Sequence, residues 1–157
     1  MTLPSDPIPE TPDHRAAISR RVQEATGLDD KTLETLVRAF YARARTDSVI
    51  GHLFDGVEDW EKHIRQITTF WSSVALMSGR YHGQPLPVHA KLPLESRHFE
   101  RWLLLFQQTL DEVCSEAAKP YLMEKARRIA SSLEMGVAFA RGIMPSPRDA
   151  WPKGATA

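Results

Sequence analysis

A single cysteine, Cys114, is the only thiol in this chain. That excludes an internal disulfide, a CxxC redox pair and a CxxCH attachment motif. Leu110 lies one helical turn before Cys114, which fits a buried, inert thiol. An excess of either charge is also missing: 20 Lys and Arg balance 20 Asp and Glu, so neither a nucleic acid nor an anionic membrane surface is an expected partner. No apolar run approaches the ~20 residues needed to span a bilayer. The N-terminal stretch has no basic region leading into an apolar core, so no secretory signal is expected and the expected location is the cytoplasm. Several chemical signatures are absent: the HExxH metalloprotease helix, the Glu-x-x-His motif of di-iron bundles, and the Gly-rich phosphate loop. No serine sits in a nucleophile-elbow context. Alternating strand patterns and internal repeats are lacking too.

What the chain does have is helical periodicity. Its 157 residues suffice for one domain with a real core. Residues 1–12 hold four prolines and little to bury, and read as a disordered leader. A short helix is expected from about Asp13 to Ala25, stopped by Gly27. Asp29 or Asp30 caps the next, in which Leu33, Leu36, Val37, Phe40, Tyr41 and Ala44 form one apolar stripe ending near Arg45. The connection from Thr46 to Asp59 carries one apolar knob, Leu53-Phe54, with Phe54 as an inward anchor. From Asp59 to about Ser78, Trp60, Ile64, Ile67, Trp71 and Val74 trace a buried face, with His63 and Phe70 beside it and Gly79 as the stop.

Prolines 85, 87 and 93 then break the chain between two long helices. At most one short turn fits between Pro87 and Pro93, and His89 lies in it. Ser96 is the expected cap of a helix reaching Cys114, with Phe99, Trp102, Leu103, Phe106 and Leu110 inward. After a break, Pro120 suits the first turn of a last helix ending near Arg141, with Leu122, Ala126, Ile129 and Leu133 inward. Residues 142–157 read as a disordered tail. The fold class is all-α: four main helices, a short N-terminal helix and one proline-held segment.

Four residues stand out together. Tyr41, His63 and Trp102 place a phenol, an imidazole and an indole on three inward helix faces, and His89 adds a second imidazole on a stiff segment. Each alone reads as an ordinary hydrogen-bonded core or rim residue. As a set they suit a flat cofactor whose iron is held by one axial imidazole, with hydrogen-bond donors on the opposite face and Phe54 and Phe70 as aromatic walls. The flanks of His14, His52, His82 and His98 look solvated, and these four are expected on the surface.

Five blocks in order now resemble a known family. They are Phe40-Tyr41; Leu53-Phe54; Trp60-x-x-His63 through Phe70-Trp71; Gly83-Gln84-Pro85-Leu86-x-x-His89-x-x-Leu92-Pro93; and Phe99-x-x-Trp102-Leu103-x-Leu105-Phe106. From about Leu36 to Leu133 the chain resembles the truncated haemoglobins, and within them group III. The resemblance implies a two-over-two helical sandwich around haem b (iron protoporphyrin IX); with the short N-terminal helix, which lies outside the resemblance, the globin domain is expected over residues 13–141. The resemblance also implies His89 as the proximal iron ligand, Tyr41 and Trp102 as distal hydrogen-bond donors, and His63 as the distal gate. Ile67 would lie on the distal wall and Phe54 would pack on the haem. The glycine-glycine motifs of groups I and II are missing, as group III implies. Arg65, Arg97 and His98 are nearby candidates for the haem propionates.

The function expected is binding of O₂ and other diatomic ligands. Two donors on a polarised ligand slow its release, which argues against simple oxygen delivery, although oxygen transport stays among the expected roles. The alternative is an enzyme for NO dioxygenation or peroxide reduction that draws electrons from a separate reductase. A helical adaptor without cofactor is the bland reading of the same residues.

Overall fold

The computed structural model describes residues 12–83, 89 and 91–142. The expected leader up to residue 11, the Gln84-Pro85-Leu86 block and the tail from residue 143 lie outside the described residues. Among the described residues there are five α-helices and no strand: α1 (Pro12–Thr26), α2 (Asp30–Ala44), α3 (Trp60–Leu76), α4 (Ser96–Val113) and α5 (Ala118–Ala140). A short 3₁₀ turn, Gly51–Phe54, interrupts the connection between α2 and α3.

Local chemistry sets most of these boundaries. Pro12 opens α1, where a missing N–H costs nothing. Gly27, at φ 74°, turns the chain out of α1 through a backbone state that glycine enters without strain. The Asp29 carboxylate accepts the Thr32 N–H at 2.7 Å and starts α2; the Asp59 carboxylate does the same for Lys62 at 3.1 Å and starts α3. Gly51 is needed for a different reason, because a Cβ there would lie 2.8 Å from the Arg45 carbonyl oxygen.

Two ends differ from the sequence expectation. Helix α3 stops at Leu76, ahead of Gly79, because Met77 takes the left-handed conformation at φ 56° and its N–H bonds back to the Ser72 carbonyl. Helix α4 is capped by Glu95 rather than Ser96. There the Glu95 backbone N–H donates to His98 Nδ1 at 2.9 Å, which folds the imidazole back onto the start of its own helix.

Helix α2 packs on α3 and α4, α4 packs on α5, and α3 closes the arrangement against α5. Helix α1 lies on α3 as an added element. The core is built where these faces meet, from Leu33, Leu36 and Phe40 of α2, Trp71 of α3, Phe106 and Leu110 of α4, and Leu122 of α5. Phe106 is the hub: Trp71 stacks on it with centroids 5.0 Å apart, Trp102 stacks on it at 5.2 Å, and Phe40 meets its edge at 6.0 Å. No helix among the described residues is long and apolar enough to cross a membrane.

Candidate functional site

A cavity of about 140 Å³ opens between the helices and the loop that precedes α4. Ile67 and Phe70 of α3, Trp102 of α4 and Leu133 of α5 supply apolar walls, and His89 lies on the loop side. Ile67, Phe70, Trp102 and Leu133 pack against the core yet are only half-buried, because part of each side chain faces this space. Phe54 also lines it, brought there by the 3₁₀ turn.

Tyr41 lines the cavity from α2 and is 7% exposed. Burial pushes its phenol well above the usual tyrosine range, so the hydroxyl keeps its proton. Its oxygen lies 3.2 Å from His63 Nε2, a contact between α2 and α3. The two rings meet edge-on with centroids 5.1 Å apart, and Phe54 and Trp60 each approach Tyr41 edge-on at 5.4 Å. Arg45 covers the outer face of Trp60 at 4.1 Å from the ring centroid. His63 is half-buried; burial lowers its pKa first, and the charge of His89 lowers it further.

Of the residues singled out from the sequence, Tyr41, Phe54, Ile67, Phe70, His89 and Trp102 line one space, and His63 joins them through Tyr41. The flanking histidines divide differently. His52 and His82 are exposed and His14 is half-buried, but His98, expected on the surface, is 4% exposed and lines the cavity. Its hydrogen bond to the Glu95 N–H turns the ring inward, and burial, with Arg97 adding to it, lowers its pKa. Arg97 is exposed and bonded to Glu95 at 2.8 Å, and Arg65 is exposed on α3; neither lines the cavity. Cys114 is half-buried at the end of α4, and burial raises its thiol pKa. Ile50 and Tyr81 line the cavity from connections that carry no helical periodicity, so no pattern in the sequence marked them.

An all-α bundle enclosing an apolar cavity with an imidazole on its loop wall narrows the choice of family, and comparison settles it. The family model for bacterial-like globins matches residues 21–135. The chain is also 33% identical over 113 residues to the group 3 truncated haemoglobin Ctb of Campylobacter jejuni, covering 68% of this chain and 89% of that one. The chain belongs to the group III truncated haemoglobins. The crystal structure of the group III truncated haemoglobin from Campylobacter jejuni matches with a TM-score of 0.64 at 34% identity, again over 68% of this chain and 89% of that one. The two-over-two globin arrangement expected from the sequence is therefore the fold of this protein, with α1 added before it. As a globin it is a haem-binding protein.

Proposed function

We propose that the cavity holds haem b with His89 as the protein's ligand to iron, and that Tyr41, His63 and Trp102 form the distal side where O₂ or another diatomic ligand binds. The reading rests on one observation: His89 and the Tyr41–Trp102 pair line the same apolar space. Haem supplies an iron centre that takes a diatomic molecule at its open position. The residues supply the rest. Apolar walls at Ile67, Phe70 and Leu133 favour a flat, largely apolar cofactor and exclude water around it. Phe54, which lines the same cavity, would pack against the cofactor.

Tyr41 is the principal donor. A neutral His63 carrying its proton on Nε2 donates to the phenol oxygen and leaves the Tyr41 hydroxyl hydrogen for the ligand. The raised phenol pKa keeps the proton on Tyr41 and the lowered imidazole pKa keeps His63 neutral, as that arrangement requires. Trp102, held flat by its stack on Phe106, is the second donor. A distal side this polar retains its ligand and favours holding or converting it over delivery. Conversion, by reaction with NO or peroxide and a separate electron donor, is the second reading, favoured by the hydrogen-bonded Tyr41–His63 pair beside the cavity. Titrating apoprotein with haemin tests the first claim: saturation at one haem per chain is expected, and no uptake contradicts it. Stopped-flow mixing of the oxygenated ferrous protein with NO tests the second reading: slow or absent nitrate formation counts against conversion. Conversion also requires repeated nitrate-forming turnovers when a separate electron donor returns the ferric haem to the ferrous state.

A further inference from the structure

We propose that Arg141 is a positioning residue for His89, clamping the loop that carries it to the end of α5; this rests on His89 being the iron ligand. Arg141 immediately follows α5, and its backbone N–H closes that helix onto the Val137 and Ala138 carbonyls, each at 3.2 Å. The side chain does something else. Its Nη1–H donates to the Leu94 carbonyl at 2.7 Å, and its Nη2–H donates to the Leu92 carbonyl. Both acceptors lie in the short stretch between His89 and α4.

That stretch is tied to His89 by its own backbone. The Leu92 N–H donates to the His89 carbonyl at 3.0 Å, closing the single turn that the prolines allow. The Leu94 N–H in turn donates to the Leu92 carbonyl at 2.8 Å. Pro93, between the two acceptors, has a fixed φ and no N–H, so the pair of carbonyls presents a stiff target. A guanidinium is a planar fork that bonds two acceptors at once, which the single ammonium of lysine does not reproduce. Leu92 and Leu94 line the cavity, and Leu94 is 8% exposed, so a shift of the clamp moves the cavity wall and the turn ending at His89 together.

Arg141 also places a positive charge at the C-terminus of α5, where it favours the helix whatever the loop does. A purely structural role of that kind changes stability and nothing at the iron. The test therefore uses Arg141→Met and Arg141→Lys in the full chain, with two readouts. The first needs no haem: exchange of the Leu92 amide, measured by NMR. We expect it to be about tenfold faster in Arg141→Met and intermediate in Arg141→Lys. The second is the iron–histidine stretching band of the ferrous haem-loaded protein. It is expected to shift and broaden in Arg141→Met, with haem release to an acceptor apoglobin about tenfold faster, and to recover in part with lysine. Unchanged Leu92 exchange overturns the clamp. Faster exchange with an unchanged band overturns the positioning role and leaves a structural one. If the wild-type chain takes up no haem, the haem reading fails on its own and positioning of a ligand falls with it, while the exchange data still decide whether the clamp exists. Should Arg141→Met fail to fold, Arg141→Lys alone decides: wild-type exchange and an unshifted band overturn the proposal.

Discussion

Replacing Tyr41 with Phe removes one oxygen and leaves the ring in place. The ring keeps its edge contacts with Phe40 at 5.3 Å and Phe54 at 5.4 Å, so packing is little changed. His63 Nε2 loses its 3.2 Å partner, but His63 is half-buried and solvent can replace it. The cost in folding stability is therefore that of one ordinary hydrogen bond, about 0.5–1.5 kcal/mol. The effect on the ligand is larger. O₂ on ferrous haem is strongly polarised, and a dry donor to such a group contributes about 1.5–3 kcal/mol, which corresponds to a factor of roughly ten to a hundred. Since the donor acts after the ligand has arrived, the change falls on release rather than on entry. Oxygen dissociation, followed by stopped-flow replacement with CO, is expected to be at least tenfold faster in Tyr41→Phe. CO carries little charge, and its own dissociation is expected to change by less than about threefold. An oxygen release rate within twofold of wild type would remove Tyr41 from contact with the ligand and refute the arrangement of Tyr41 and His63 described above.

Two further outcomes follow from the same structure. His63 and His98 both have imidazole pKa values lowered by burial, so below the unfolded value of 6.5 the unfolded chain binds more protons than the folded one. Apoprotein stability from urea unfolding is then expected to be full above that pH and to fall progressively as the pH drops below it, and a flat profile there would contradict the burial of these rings. Leu110 is fully buried behind the Phe106 hub, and Leu110→Ala is expected to cost about 2–5 kcal/mol by the same assay, with a loss under about 1 kcal/mol contradicting the packing.

The helices were legible because their evidence is local. The stripe from Leu33 to Ala44 is buried as read, and the carboxylates of Asp29 and Asp59 cap the helices they precede. Tyr41, His89 and Trp102 were legible as a set, since each sits on an inward face or stiff turn that a compact bundle brings together. What was missed depends on contacts across the chain or on backbone states that side-chain patterns do not encode. His98 has polar neighbours in sequence and looked solvated. It is buried because the Glu95 N–H bonds its Nδ1, the same contact that moves the cap of α4 from Ser96 to Glu95. The end of α3 shifted because Met77, with no glycine's advantage, adopts a left-handed conformation that the Ser72 carbonyl stabilises. Arg141 was read only as the end of a helix, and its two loop carbonyls lie 47 and 49 residues away.

The most direct test of the central claim is a set of absorption spectra of the haem-reconstituted protein in ferric, ferrous and CO-bound states, for wild type and His89→Ala. A Soret band that shifts on CO binding is expected in the wild type. Loss of the five-coordinate ferrous spectrum is expected in His89→Ala, with recovery when free imidazole is supplied. A His89→Ala protein whose ferrous spectrum matches the wild type without imidazole would mean that another residue holds the iron, and the assignment of the cavity's two sides would fall with it.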